Sequence, residues 1–347
     1  MKRVLSFALA IVMLFCAVPL SVSAAEEVTT ISTVAELAAV ANDLSGNYRL
    51  EKDIDLSKYG DWTPIGGSTA FSGTFEGNNK KITGLTVNTS SQYGGLFGNV
   101  SGTVKNLYVK GTVTVNSTSS SAYAGLVAGN VGLFGTVDSC SAEGNVTVKL
   151  NHSSSSFIAP KGNAYAGGVI GNSSSFYEFS ELSHKSGTVT ATANMTNKGN
   201  AFAYAGGVAG KSGATIVDSY NKGDVSATAT ASSGETTAYS GGISGYGKNF
   251  ATSYNTGDIS ASGTTVANAG AIAGYATGKA TNCYYLSGCA TKAFGGYSAD
   301  TAPTATALSK TNSYGKNKYV GFDFDNVWES ALLNTPKHYD KDEIITG

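Results

Sequence analysis

The stretch AGGVAGKS, Ala205 to Ser212, has the composition of a loose Walker A loop: a small residue, four more, then Gly-Lys-Ser. Such a loop would aim backbone N–H groups at phosphates and extend Lys211 to the terminal ones. It needs a strand before it and a long helix after it, but the residues that follow, SGATIVDSY, are small or β-branched and read as strand. Other chemistry fares no better. His152, His184 and His338 are isolated and none is followed by Glu, so no His-Glu-x-x-His pair sets two imidazoles one helical turn apart for zinc. No G-x-S-x-G elbow precedes a helix, which removes the usual serine-hydrolase arrangement. Among carboxylates, Asp224 and Asp258 occupy like positions in successive segments, where they could form an acid–base pair, hold a cation, or simply favour a turn in water. Asp138 and Asp218 share a position as well, with a further repeat between them.

These residues sit in a repeating frame. YGGLFGN from Tyr93, YAGLVAGN from Tyr123, YAGGVIGN from Tyr165, YAGGVAGK from Tyr204, YSGGISGY from Tyr239 and NAGAIAGY from Asn268 recur at intervals of 30, 42, 39, 35 and 29 residues. In that frame Lys211 falls where the sister copies carry Asn99, Asn130, Asn172, Tyr246 and Tyr275, so AGGVAGKS is one copy of a repeat and no nucleotide is expected. A second block follows each copy: GTVKNLYVKGTVTV, GTVDSCSAEGNVTV, YEFSELSHKSGTVTA, ATIVDSYNKGDVSA and NFATSYNTGDISA. One position within it reads Leu107, Cys140, His184, Tyr220, Tyr254 and Cys283. A turn glycine then recurs as Gly111, Gly144, Gly187, Gly223 and Gly257. Short alternating runs between glycine turns, repeated six times, predict an all-β solenoid in which equivalent side chains stack about 4.8 Å apart. Thr112 and Thr114, Thr188, Thr190 and Thr192, and Thr228 and Thr230 would then form threonine rows; the uneven repeat length argues against a regular ice-binding lattice, and solvated strand positions explain them.

The ends bound the class. Lys2 and Arg3, the apolar run Val4 to Leu20 and the small residues SVSAA form a secretory signal peptide over residues 1–24. Beyond it lie 21 basic residues (23 less Lys2 and Arg3) and 24 acidic ones, a balance of −3 that suggests neither nucleic acid nor an anionic membrane as partner. No later run is long enough to span a membrane. Three cysteines remain. Cys283 and Cys289, six apart in NCYYLSGC, are placed to close a small disulfide loop, which an extracellular compartment permits, and Cys140 is left as a buried thiol. Neither they nor the histidines have a metal spacing, so no metal or other cofactor is expected. Thr33 to Glu36 fits a capping box, and Val34, Leu37, Ala38, Ala41 and Leu44 keep a helical period, so a short helix is expected to cover the first strands and hide an open β edge.

The ordered series DIDL, W-x-PIG, F-S-G-T-F-E-G-N, GLFG, the Y-[AS]-G-G-x-x-G copies, GDV or GDI, and the closing FDFDNVW resembles the GLUG-motif family of bacterial secreted and cell-surface proteins, over roughly Ile31 to Ser330. The resemblance implies a right-handed parallel β-helix. It also implies an adhesin-like role, since such modules occur on adhesin-like proteins and beside the catalytic domains of IgA-cleaving metallopeptidases, and it implies no catalysis by the repeats themselves. FYEFSELSHKSG departs from the pattern.

The expected organisation is a signal peptide (1–24), an N-terminal cap (25–47), GLUG-type repeats (48–290), a closing segment (291–330) and a tail (331–347). The expected function is non-catalytic recognition, outside the cell, of a host or cell-surface glycan or protein; a β-helical polysaccharide lyase or hydrolase is the alternative. Binding is expected at the uneven inserts, through Phe157 and Ile158 in NHSSSSFIAPKGNA and through Phe176 and Tyr177, with Phe179 beside them. Apolar residues on projecting loops mark contact sites, or else fold back to fill a gap.

Overall fold

The computed structural model describes residues 27–154, 160–330 and 335–339; the expected signal peptide (1–24) and the insert residues Phe157 and Ile158 lie outside them. Among the described residues the chain is all-β with long parallel sheets and one short α-helix. Each repeat contributes a strand to a 15-stranded, a 7-stranded and a 6-stranded sheet, and each strand pairs in parallel with its counterpart in the next repeat, an arrangement consistent with a solenoid. The repeat Tyr123, for example, supplies Ser121–Ala124 to the 6-stranded sheet, Ala128–Val131 to the 7-stranded sheet and Thr136–His152 to the largest. Inward positions alternate with outward ones: Val137, Cys140, Ala142, Val146, Val148 and Leu150 are fully buried along that last strand.

Stacked rows of identical residues hold successive repeats together. Tyr93, Tyr123, Tyr165 and Tyr204 stack with ring centroids 5.3, 5.0 and 4.8 Å apart, each pair contributing about 1 kcal/mol beyond its burial. On the neighbouring sheet the Asn130 amide donates to Asn99 Oδ1 at 2.9 Å and the Asn172 amide to Asn130 Oδ1 at 2.7 Å. That row continues through Lys211, Tyr246 and Tyr275, as the sequence frame predicts. The glycine row is confirmed too: Gly111 pairs with Gly144, and a Cβ on Gly144, whose φ is +130°, would overlap the Gly111 carbonyl oxygen. Glycine is required there both by the backbone and by the close approach of the preceding repeat.

One row differs from the expected alignment. The partners of Leu107 and Cys140 are Leu182, Ser219, Ser253 and Cys283, while Tyr220 and Tyr254 follow one position later, in the row of Tyr108, Ser141, Ser183 and Tyr284. His184 falls one position later still, with Ala142, Asn221 and Asn255. A shift of one residue moves a side chain to the opposite face of a sheet. Asp138 and Asp218 consequently do not share a row: Asp138 is aligned with Lys105, and Asp218 sits at the left-handed bend of the next position. That bend is occupied throughout by residues with φ between 44° and 54°: Asn106, Ser139, Asp218, Thr252, Asn282 and, in the irregular block, Glu181.

The corrected row also accounts for the cysteines. Ser219 Oγ and Ser253 Oγ donate to the carbonyls of Val217 and Ala251 at 2.6 and 2.7 Å, and the Cys140 and Cys283 thiols point at the corresponding carbonyls of Asp138 and Thr281 at 3.1 and 3.6 Å. Cys289 is turned elsewhere, its sulfur 3.5 Å from the Asn255 amide at the end of the buried asparagine row. The expected Cys283–Cys289 disulfide is therefore not formed: the three cysteines among the described residues are free and buried, Cys140 and Cys283 on the carbonyl two residues back and Cys289 against Asn255.

The N-terminal helix is Val34–Ala39, with both halves of the Thr33/Glu36 capping box present. Leu37 is buried and Val34 and Ala38 pack on the core. The expected helical period fails after Ala39, where the chain tightens into the 3₁₀ turn Val40–Asn42, so that Val40 is buried and Ala41 is exposed. At the other end the closing segment does not simply follow the last repeat. Tyr319, Phe322 and Trp328 fold back over the outward row of Tyr220, Tyr254 and Tyr284 and form a second apolar cluster with it. An antiparallel pairing of Trp328–Glu329 with Lys337–His338 completes this cover.

Candidate functional site

The Walker-like segment ends in a strand, Ala209–Ser212, paired in parallel with Ile170–Ser173 on one side and Ser244–Gly247 on the other. No phosphate loop is formed there. Lys211 Nζ lies over the rings of Tyr204 and Tyr246 at 5.8 and 5.5 Å, where burial lowers its pKa. His184 is a core residue: Nδ1 faces Asn221 Oδ1 and Nε2 faces the Gly144 carbonyl, both at 2.9 Å, and burial pulls its pKa down against the effect of those two bonds. Asp224 and Asp258 are adjacent in register, but the Asp258 backbone N–H donates to Asp224 Oδ1 at 3.0 Å, so the carboxylate secures the turn of the next repeat. Among the described residues no three His, Cys, Asp or Glu side chains are grouped to hold a metal ion.

The irregular block does present apolar side chains. Phe176 and Tyr177 are 76% and 50% exposed. Phe179, by contrast, is fully buried and bridges to Ile216, which continues an inward row. The loop of the preceding repeat meets this one: Phe176 N–H donates to the Leu133 carbonyl at 3.2 Å, and Leu133 and Phe134 are themselves 47% and 69% exposed. Two loops joined by a backbone hydrogen bond thus expose four large apolar side chains. The segment N-V-G-L-F-G-T, longer by two residues than N-V-S-G-T of the first repeat, was the sequence signal for Leu133 and Phe134.

Beyond the strand that leaves these loops lies a pocket of roughly 120 Å³. Its lining includes Lys81, Tyr108, Glu181 and Lys185, together with Lys337 and His338 from the folded-back tail. Tyr108 Oη donates to Glu143 at 2.6 Å, and Lys110 pairs with the same carboxylate at 2.7 Å, which lowers the Glu143 pKa. Lys185 Nζ lies 4.9 Å from the Tyr108 ring and Lys222 Nζ 5.3 Å from the Tyr220 ring. Burial first, then the charges of Lys185 and Lys337, bring the Lys222 amine down to about 8. The tail is anchored where it crosses: Trp328 Nε1 donates to Asp218 Oδ1 at 3.2 Å, His338 Nε2 lies 2.7 Å from the Asp218 carbonyl, and the Tyr254 hydroxyl bonds to the Pro336 carbonyl.

No protein-family model matches the sequence, and no curated protein matches it. Among solved structures, the chain is similar to a protein described as a "putative immunoglobulin A1 protease" from Bacteroides ovatus, with a TM-score of 0.58 and 19% identity, over 90% of this chain and 92% of that one. At that identity the likeness is one of fold. No helix among the described residues is long and apolar enough to cross a membrane.

Proposed function

We propose that this chain is an exported, non-catalytic recognition module, built as a right-handed parallel β-helix of GLUG-type repeats, that binds a cell-surface or host glycan or protein. The observation that carries this reading is the cluster of Leu133, Phe134, Phe176 and Tyr177 on two neighbouring loops, which holds four of the eight large apolar side chains exposed among the described residues. Apolar groups gathered on a rigid edge mark a contact surface, whereas scattered ones need no explanation. Aromatic rings held at the rim suit the faces of sugar rings as well as apolar protein side chains.

A second reading, a polysaccharide-active enzyme, rests on the Lys222 amine. An amine brought down to about 8, 5.3 Å from the ring of the pocket-lining Tyr220, is the kind of group that acid–base chemistry employs. The name of the structural neighbour also points towards an enzyme, although of a different kind. Incubating the purified chain on glycan and protein arrays, with product analysis of whatever it binds, separates the readings. Retention of an intact ligand is expected; shortened or unsaturated products, or a cut polypeptide, would overturn the non-catalytic account.

A further inference from the structure

A second surface runs along the axis of the stack, where the outer faces of the 6-stranded and 7-stranded sheets meet. One wall is the tyrosine row that begins at Tyr93 and ends at Tyr239; the other is the row that begins at Asn99 and ends at Tyr275. Side chains on the outer faces of two sheets touch only where those faces incline towards each other. They do so here: ring centroids lie 6.3 Å apart for Tyr204 and Tyr246, and 5.3 Å apart for Tyr239 and Tyr275. At the floor of the angle the sheets come so close that a Cβ on Gly171 or Gly210 would strike the backbone of the tyrosine strand, at Ala124 or Ala166. In the later repeats long side chains fill this angle: Lys211 lies over Tyr204 and Tyr246, and Tyr246 stacks on Tyr275 at 5.4 Å. In the first three repeats the facing residue is the short Asn99, Asn130 or Asn172, each part-exposed, and the angle stays open. The result is a trough, closed at one end by Lys211 and Tyr246 and roughly 15 Å long at about 4.8 Å per repeat.

Both walls carry hydrogen-bonding capacity that the fold leaves unused. Tyr165 is only 9% exposed, with its ring faces covered by Tyr123 and Tyr204, and its hydroxyl bonds to no described residue. Among the described residues no unpaired side-chain oxygen is sealed from solvent, so that hydroxyl opens to the outside, over the trough. In the ladder from Asn172 through Asn130 to Asn99, each amide uses one N–H or one oxygen, or one of each, on its row neighbours, out of two N–H groups and two lone pairs. Each open repeat thus presents a phenol hydroxyl and an amide with donors and acceptors to spare, and no charge. An extended peptide would repeat its same-side groups every ~6.8 Å, out of step with repeats about 4.8 Å apart. A linear chain of sugar rings advances by about one ring per repeat, and its hydroxyls both donate and accept.

We propose that this trough binds a linear, uncharged glycan lengthwise, with successive sugar rings over successive repeats and their hydroxyls bonded to Tyr123, Tyr165, Asn130 and Asn172. The site is separate from the apolar loops and does not depend on them. The test uses the purified chain and β-linked oligomers of glucose, mannose and xylose, each of two, four and six rings, with binding followed by calorimetry and by NMR of the asparagine side-chain amides. At least one series should bind and shift those amide signals, with affinity rising about tenfold or more from two rings to four and little beyond, as the length of the trough requires. Asn172→Tyr places there the residue type that sister repeats carry as Tyr246 and Tyr275. It should therefore fill the trough and weaken binding about tenfold or more at an unchanged unfolding midpoint. Tyr123→Phe/Tyr165→Phe keeps the ring stack but removes two hydroxyls, and should weaken binding about fivefold or more, again at an unchanged midpoint. Phe134→Ser/Phe176→Ser should leave the binding of these oligomers as it was. Loss of binding in that loop variant, with none in Asn172→Tyr, would overturn the trough and leave recognition by the loops standing. Equal affinity for two and four rings would overturn it too, as would the failure of every oligomer to bind, whatever ligand the loops hold.

Discussion

His184 shows how much one residue can depend on its neighbours. Asn221 and Asn255, in the same row, each close a turn on the glycine two positions later, with the side-chain amide donating to its carbonyl and the side-chain oxygen accepting from its N–H. After His184 the glycine comes three positions later, because Ser186 is inserted, and the longer imidazole reaches across to the Gly144 carbonyl instead. His184→Asn should therefore destabilise the fold, by about 1–3 kcal/mol for the carbonyl left unpaired, measured by chemical denaturation; a neutral or stabilising effect would contradict this account of the row. The cysteines give a second check at this scale. Cys140, Cys283 and Cys289 should resist a thiol reagent in the folded chain and all react once it is unfolded, without reductant. A count short by two would restore the Cys283–Cys289 disulfide. That pairing was inferred from spacing alone. Spacing did not reveal that Cys283 replaces a serine bonded to the carbonyl two residues back, because the shorter serine row emerges only from the register.

At the scale of elements, the repeats left a clear record in the sequence wherever a position admits few residues. The tyrosine row, the Asn99-to-Tyr275 row, the glycine row and the capping box were all legible, since stacking, close approach and turn geometry each select a residue type. Gly144→Ala should accordingly cost at least about 3 kcal/mol, as its Cβ has no place beside Gly111. Thr252 makes the opposite case: a β-branched residue at φ 44°, where sister repeats use Asn106 and Asn282, is strained. Thr252→Asn should raise stability by roughly 0.5–1 kcal/mol, and a loss would show that its hydroxyl, which accepts from the Asp218 N–H at 3.2 Å, outweighs the strain. What could not be read was the irregular block. The extra Ser186 hid the row of His184, and Tyr220 and Tyr254 were set one position off because the small Ser219 and Ser253 take the place of Leu107; a slip of one residue exchanges inside for outside. Tyr220 and Tyr254 look like core residues in sequence and are indeed buried, but from the outer face, under a tail whose return no local pattern announces. The same block contains Phe176 and Tyr177, exposed, and Phe179, buried, three residues that composition alone treats alike.

For the whole molecule, burial sets the pH range of stability. Burial raises the thiol pKa values to about 12 for Cys140 and Cys283 and about 11 for Cys289, lifts Tyr220 to about 12, and pushes Tyr165, Tyr204, Tyr254 and Tyr319 upward from 10.0. The unfolded chain releases these protons near pH 9 and 10 while the folded chain keeps them, so stability falls as pH rises through that range. Lys222 acts in the other direction: with a folded pKa of about 8 against an ordinary 10.5, its penalty is relieved as pH rises from about 8. On the acid side His184 resists protonation in the fold, so stability declines as pH drops below 6.5. Thermal unfolding across pH 5 to 11 should show a maximum between these limits, and Lys222→Met should flatten the rise just above pH 8. A midpoint that climbs through pH 10 would contradict the burial assigned to the thiols and tyrosines.

The central claim is that the apolar loops of two neighbouring repeats bind an extracellular ligand without changing it. The most direct test is the binding isotherm of the chain and of Phe134→Ser/Phe176→Ser for one ligand recovered from the arrays, with unfolding midpoints measured in parallel. The account predicts at least tenfold weaker binding, an unchanged midpoint and an intact ligand at the end of the titration. Equal affinity in the two proteins, or a ligand converted to products, would contradict it.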